Sequence, residues 1–359
     1  MKNILILYTN YGTGHYMAAI AIKEYIEKTY PNYKIEVLDP LSFSRPIINK
    51  LFAYTGKVVA TKFRKFRKNL YKKKMYQDYL KNSSFFKLCT KLFWTKKLKE
   101  KLTQFNPDII ISTQVGPTGL IAAHKELFNA KLISVFTDYG LHRMYVIPHE
   151  FVDIFCVPNE SIKSQMLELG IEEDKIKITG IPVRLEFLDS KTKKLKLPKN
   201  KPIYLFVCGG GLGYDNAFSY FEAMLKSNSN FYYIFVSGKN EKLLNKAKEL
   251  VKNYDKDGEV LGYVNNMFEY MAISDMVIGK PGGIITSESL NLEVPFCAVE
   301  PIPGQETNNA LFISNNKFGF YITNLDELKD LLNKLNKEKL EIYKKNIKNN
   351  FIKSTFIDI

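Results

Sequence analysis

With 359 residues, 45% of them hydrophobic and 25% charged, the chain is long enough for two hydrophobic cores and too apolar for a disordered or fibrous protein. No run approaches the roughly eighteen apolar residues of a membrane span, and the apolar start, closed by Tyr8, Thr9 and Asn10, reads as a first strand rather than a secretion signal. Cys89, Cys156, Cys208 and Cys297 lie far apart without CxxC spacing, which predicts reduced thiols, and the formal net charge of +15 asks for nucleic acid, an anionic membrane surface or a phosphate-bearing substrate.

The first strand candidate, Ile4–Thr9, runs into Asn10, Tyr11, Gly12, Thr13, Gly14 and His15. A helix follows, with Ala18, Ala19, Ile22, Tyr25 and Ile26 at helical spacing and Pro31 beyond its end. The glycine spacing lacks the third glycine of a dinucleotide fingerprint, and no matching acidic ribose-binder is evident. A histidine at the carboxyl end of a strand suits proton abstraction near neutral pH, so His15 is the general-base candidate; positioning the glycine loop or a lipid head group is the alternative role.

After the strand candidate Ile35–Leu38 comes the source of the charge. Residues 57–101 hold sixteen lysines and arginines against Asp78 and Glu100, interleaved with Phe63, Phe66, Tyr71, Tyr76, Phe85 and Trp94 among others. That mixture predicts a membrane-surface segment; a solvated helical face whose aromatics pack inward is the rival, and RNA binding ranks below both. Strands Ile109–Thr113, Leu132–Phe136 and Ile154–Val157 then complete a parallel sheet. Asp138, just past the second of these, is predicted to orient His15 or to be the base itself; His142 lies nearby, and His124 and His149 read as surface residues.

Following Ile176–Ile178, the lysine-rich, apolar-poor stretch 189–201 reads as a linker, and the alternation of strands and helices restarts with Ile203–Cys208, Tyr232–Ser237, Met276–Ile278 and Phe296–Val299. In such sheets ligands bind beyond the carboxyl ends of the strands. Gly209, Gly210, Gly211, Leu212 and Gly213 follow the first of these strands, where backbone N–H groups can approach a diphosphate or where glycines simply make a turn. A sharper pattern is Gly279, Lys280, Pro281, Gly282, Gly283, Ile284, Ile285, Thr286, Ser287, Glu288. Paired glycines clear room for phosphate at a helix N-terminus, Thr286 supplies a donor and Glu288 can accept from ribose, unless these two serve only as caps. A proline-stiffened loop then delivers Gln305, Glu306 and Asn309, the amides and carboxylate that sugar hydroxyls require.

Taken in order, GTGH, TDYGLHRMYV, ITGIPVR, GKPGGIITSE and PIPGQETNNA resemble glycosyltransferase family 28, the bacterial diacylglycerol glucosyltransferases and plant monogalactosyldiacylglycerol synthases, essentially end to end. The resemblance implies an α/β GT-B fold, two doubly wound Rossmann-like domains facing across a cleft. It implies an acceptor-binding domain over 1–188 and a UDP-sugar domain over 200–342, with 343–359 packing back on the first. By the same resemblance His15 acts on the acceptor, Gly210, Gly211, Gly282, Gly283 and Thr286 hold the diphosphate, Glu288 the ribose, Gln305, Glu306 and Asn309 the sugar, and Gly262, Tyr263 and Val264 cradle uracil. The expected reaction is inverting transfer of a hexose from UDP-glucose, or else UDP-galactose, to diacylglycerol at the cytoplasmic face of the membrane, with no metal and no cofactor; by the same resemblance further glucose can be added to the first product, giving mono- and di-glycosyl diacylglycerol, though nothing in the sequence counts sugars. A UDP-N-acetylglucosamine 2-epimerase and a non-catalytic UDP-sugar sensor are the rival readings. The GGGLG loop departs from the family pattern in offering no side-chain hydroxyl, which leaves the donor sugar open.

Overall fold

The computed structural model describes residues 1–10, 13–44, 93–141, 149–188, 195, 200–208 and 215–356. Two compact units emerge: Met1–Arg184 with Ile302–Gln305 and the tail from Ser354, and Leu185–Pro301 with Glu306–Lys353.

In the first unit β1 (Asn3–Leu7), β2 (Lys34–Leu38), β3 (Ile109–Ser112), β4 (Lys131–Val135), β5 (Ile154–Val157) and β6 (Ile176–Ile178) form one parallel sheet in the order β2-β1-β3-β4-β5-β6. Both faces are covered, so strands read as continuous apolar runs split by the two-residue alternation. Ile4 and Ile6 pack with Ile111, Ile133 and Val135 against Ala19, Ile22 and Ile26 of α1 (Thr13–Thr29). Leu5 and Leu7 point the other way, into a core with Leu98, Leu102 and Phe105 of α2 (Lys96–Phe105) and Leu120 and Ile121 of α3 (Val115–Ala122). Thr95 caps α2 by accepting from the Leu98 N–H, and Asn159 does the same for α4 (Glu160–Glu168) through the Ile162 N–H; such caps contribute about 1 kcal/mol each.

The second unit repeats the plan: β7 (Ile203–Val207), β8 (Tyr232–Val236), β9 (Gly258–Leu261), β10 (Met276–Gly279), β11 (Phe296–Val299) and β12 (Gly319–Ile322) pair in parallel as β12-β11-β10-β7-β8-β9. Its helices are α5 (Asp215–Leu225), α6 (Glu241–Val251), α7 (Met267–Ile273), α8 (Gly283–Asn291), α9 (Gln305–Asn315), α10 (Leu325–Lys334) and α11 (Lys337–Asn350). The edge strands β9 and β12 were absent from the sequence expectation; each is four residues long and carries a glycine where an apolar run would have marked it.

The last helix departs from expectation. α11 belongs to the second unit, where Leu340 enters the core and Lys344 Nζ meets Asp275 Oδ1 at 2.8 Å. Only the tail joins the first unit: the Thr355 N–H donates to the Thr179 carbonyl at 2.7 Å, and Phe356 stacks on Tyr25 with centroids 4.2 Å apart. Most of the basic segment 57–101 lies outside the described residues. Its last two aromatics follow the inward-packing alternative, Phe93 and Trp94 lying against the core with Trp94 stacked on His124 at 4.0 Å, so His124 is a half-buried stacking partner rather than a bare surface residue.

Candidate active site

Each sheet changes winding direction once, between β1 and β3 in the first unit and between β7 and β10 in the second. A crevice opens at the carboxyl ends of strands at such a point, and there the candidate residues collect.

In the first unit His15 stands at the start of α1. Its Nδ1 lies 2.9 Å from the carbonyl oxygen of Thr113, just past β3, and 3.0 Å from Oγ1 of Thr137, just past β4. A carbonyl only accepts, so Nδ1 carries the proton and donates it to Thr113, and the lone pair of the imidazole sits on Nε2. Thr113 Oγ1 in turn donates to the His15 carbonyl at 2.9 Å, fastening the helix start to the same strand end. Burial of the ring holds its pKa down to about 4, against the smaller, opposing pull of the Thr113 carbonyl. The imidazole is therefore neutral at physiological pH, and Nε2 meets no partner among the described residues.

Asp138, the candidate for orienting His15 or for the base itself, is half-buried and directly follows Thr137, whose hydroxyl shares His15 Nδ1 with the Thr113 carbonyl. A second acidic residue escaped the sequence reading. Asp39, at the end of β2, accepts from the N–H groups of Leu41, at 2.9 Å, and Asn10, so it anchors the start of the loop that carries His15; burial raises its pKa. The place where a dinucleotide fold keeps its ribose-binding carboxylate is thus filled, by a group bound to main chain. His142 lies outside the described residues, as does the side chain of His149.

In the second unit the KPGG segment occupies the switch point. A Cβ on Gly279 would stand 2.9 Å from the Val207 carbonyl, so glycine is what lets β10 close on β7 there. Gly282 is the N-cap of α8, and the first helical bond runs from the Thr286 N–H to the Gly282 carbonyl. The N–H groups of Gly283, Ile284 and Ile285 precede that bond and have no acceptor within the helix, which makes its start a candidate place for an anion. Thr286 is fully buried and Glu288 is 8% exposed, both on α8.

Lys280, a residue of the GKPGG motif whose place in sequence announces no role, is 8% exposed just past β10. Its charge opposes the burial that pushes the Cys208 thiol up to about 12, so the ammonium stands beside the end of β7. A positive charge thus joins the N–H groups at the switch point. Asn309, expected to reach a sugar, is buried and donates from Nδ2 to the Pro281 carbonyl at 2.9 Å, bracing the loop from α9. Ahead of α9, Glu300 takes a left-handed φ of 47°, a strained setting for a non-glycine residue and a frequent mark of functional loops. Gln305 and Glu306 open α9, half-buried. Gly262, Tyr263 and Val264 follow β9 at the same sheet end, with Tyr263 62% exposed and Lys239 Nζ 5.1 Å from its ring centre. Gly210 and Gly211 lie outside the described residues.

Solved structures share this architecture over nearly the whole chain: MurG of Acinetobacter baumannii (TM-score 0.64, 12% identity, 98% of this chain and 96% of that one), Anabaena HepE in complex with UDP and glucose (0.56, 13%, 97% and 94%) and a UDP-GlcNAc 2-epimerase of Neisseria meningitidis (0.54, 14%, 97% and 94%). The fold is GT-B. Residues 15–183 match the monogalactosyldiacylglycerol synthase family model and residues 204–358 the glycosyltransferase family 28 C-terminal domain. Processive diacylglycerol beta-glucosyltransferases of Bacillus pumilus (31% identity, 98% of this chain, 92% of that protein) and Bacillus subtilis (30%, 97% and 91%) are similar from end to end. The chain belongs to this family of glycosyltransferases.

Proposed function

We propose that the chain transfers a hexose, glucose before galactose, from a UDP-sugar to the hydroxyl of 1,2-diacylglycerol, with inversion at the anomeric carbon. One observation carries the chemistry: His15 is held neutral, with its proton on Nδ1 and its lone pair on Nε2. Nε2 takes the proton of the acceptor hydroxyl as that oxygen bonds to the anomeric carbon. The bond from carbon to the diphosphate oxygen breaks, and its electron pair leaves with UDP.

The start of α8 and Lys280 meet the negative charge that develops on the departing diphosphate. With that charge answered by backbone dipoles and an ammonium, the reaction needs no metal ion, and chelator should leave the rate unchanged. No helix among the described residues is long and apolar enough to cross a membrane, and residues 57–101 carry most of the excess charge, so the reading is completed by peripheral binding to the anionic cytoplasmic face.

The test supplies diacylglycerol in anionic vesicles with UDP-glucose and UDP-galactose in separate reactions, with and without chelator, and identifies lipid products by mass. Hexosyl-diacylglycerol from UDP-glucose at an unchanged rate in chelator is expected. UDP binding without any lipid product would refute the reading.

A further inference from the structure

The face of the first sheet that α1 covers is not filled. Between Ile22 and Tyr25 of α1, Ile111 of β3, Val135 of β4 and the segment Thr355–Phe356, a cavity of about 30 Å³ is left. Protein interiors hold few such gaps, and the side chains that line one forfeit contacts they would otherwise make. Water finds little to bond to there. The Thr179 hydroxyl donates to the Gly180 carbonyl at 3.0 Å, and the Thr179 carbonyl accepts from the Thr355 N–H at 2.7 Å and from the Thr355 hydroxyl at 3.3 Å. An apolar space of this kind stays dry and takes apolar guests.

Position decides which guest. Ile111 and Val135 stand two residues before Thr113 and Thr137, whose carbonyl and hydroxyl hold His15 Nδ1. Two residues of chain span at most about 7 Å, so the cavity begins close to the imidazole. Its opposite wall is α1, the helix whose first turn carries His15. Resting on the reading that His15 Nε2 takes the proton of 1,2-diacylglycerol, the chemistry of that lipid supplies the rest. Its nearer ester is on the carbon next to the one that bears the reacting hydroxyl. An acyl chain therefore sets out within a few bonds of His15 and needs an apolar path, which the space between α1 and the sheet provides.

As it stands the cavity has room for no more than a water or two, so an acyl chain must widen it. Two of its walls are a helix and a sheet, but the third can yield. Thr355 is exposed and tied only to the Thr179 carbonyl, and Phe356 is half-buried and stacked on Tyr25 with ring centroids 4.2 Å apart. Turning the Phe356 ring out gives up that stack, and methylenes entering the same apolar place replace the lost burial. We infer that one acyl chain of the lipid acceptor lies in this cavity between α1 and the first sheet, with Phe356 as the side chain that gives way to it. The site thereby selects acceptors by acyl-chain length.

The experiment lets dihexanoylglycerol and dipalmitoylglycerol compete for UDP-glucose in the same mixed micelles, so that the ratio of the two glycolipid products reads the ratio of their kcat/KM. It is run on the unmodified chain, Val135→Ile and Phe356→Ala. Val135→Ile puts a further methylene into the cavity and should lower the long-to-short ratio about fivefold, whereas Phe356→Ala removes the obstructing ring and should raise it by about the same factor. In the ligand-free protein Val135→Ile should melt at or above the unmodified temperature, because it fills a void, which separates loss of long-chain use from loss of folding. A diacylglycerol with a photoreactive diazirine midway along an acyl chain should, on irradiation, attach to the peptides that hold Tyr25 or Phe356. A ratio that neither variant moves, a ratio that both move in the same direction, or attachment only elsewhere in the chain would overturn the inference. Failure of the underlying reading looks different: neither acceptor yields a hexosyl lipid.

Discussion

The two switch points share a topology and differ in what they are made of. In the first unit the proposed base is a side chain, an imidazole held by a threonine carbonyl and a threonine hydroxyl. In the second the proposed diphosphate site is main chain and one ammonium: glycines that allow close approach, three N–H groups at a helix start and Lys280. A base must have its proton on a stated atom, which only directed partners arrange, whereas a diphosphate asks for positive potential over several oxygens, which dipoles supply without a proton count. Function therefore resides in the loops that the same fold presents.

Substitution at either switch point should separate the two roles, and the largest effect is expected at His15. His15→Ala should lower kcat by about a thousandfold with the UDP dissociation constant unchanged by calorimetry; a matched loss of UDP binding would break the division of labour. Lys280→Met should do the reverse, weakening UDP about ten- to hundredfold, with the melting temperature measured alongside to exclude unfolding. Thr137→Val removes one of two partners of Nδ1 and leaves the Thr113 carbonyl to hold the tautomer, so a three- to tenfold fall in kcat is about what one lost hydrogen bond gives.

The smallest effect is one of pH. Because burial lowers the His15 pKa from 6.5 to about 4, the acid limb of kcat/KM should fall near pH 4 and not near 6.5. The same shift bears on stability. Below pH 6.5 the unfolded chain takes up a proton that the folded chain refuses, so stability declines as pH drops from 6.5 to about 4 and this contribution then levels off. His15→Gln should flatten that decline in melting temperature.

Much of this was legible beforehand because it is local in sequence. His15 at a strand end, Gly282 and Gly283 before a helix, and the alternation of buried strands with helices can each be read within about a dozen residues. What could not be read was pairing at a distance. Thr113 and Thr137 lie 98 and 122 residues from His15, and nothing in TQVG or TDYG announces that a carbonyl or a hydroxyl will meet an imidazole. Asp138 is the more conspicuous letter there, and the threonine beside it carries no sign in sequence of the contact it makes. Asn309 is a like case: a polar residue past a proline loop suggests a sugar contact, and only the fold shows its Nδ2 donating to the Pro281 carbonyl 28 residues away. Whether a lysine after a strand will be buried, as Lys280 is, depends on its neighbours in space.

The central claim is a direct displacement driven by a neutral His15, and the anomeric configuration of the first lipid product tests it most directly. Proton NMR of the product made from UDP-glucose, an α-linked donor, should show a β-linked hexose. An α-linked product, or free glucose in place of a lipid, would contradict the account.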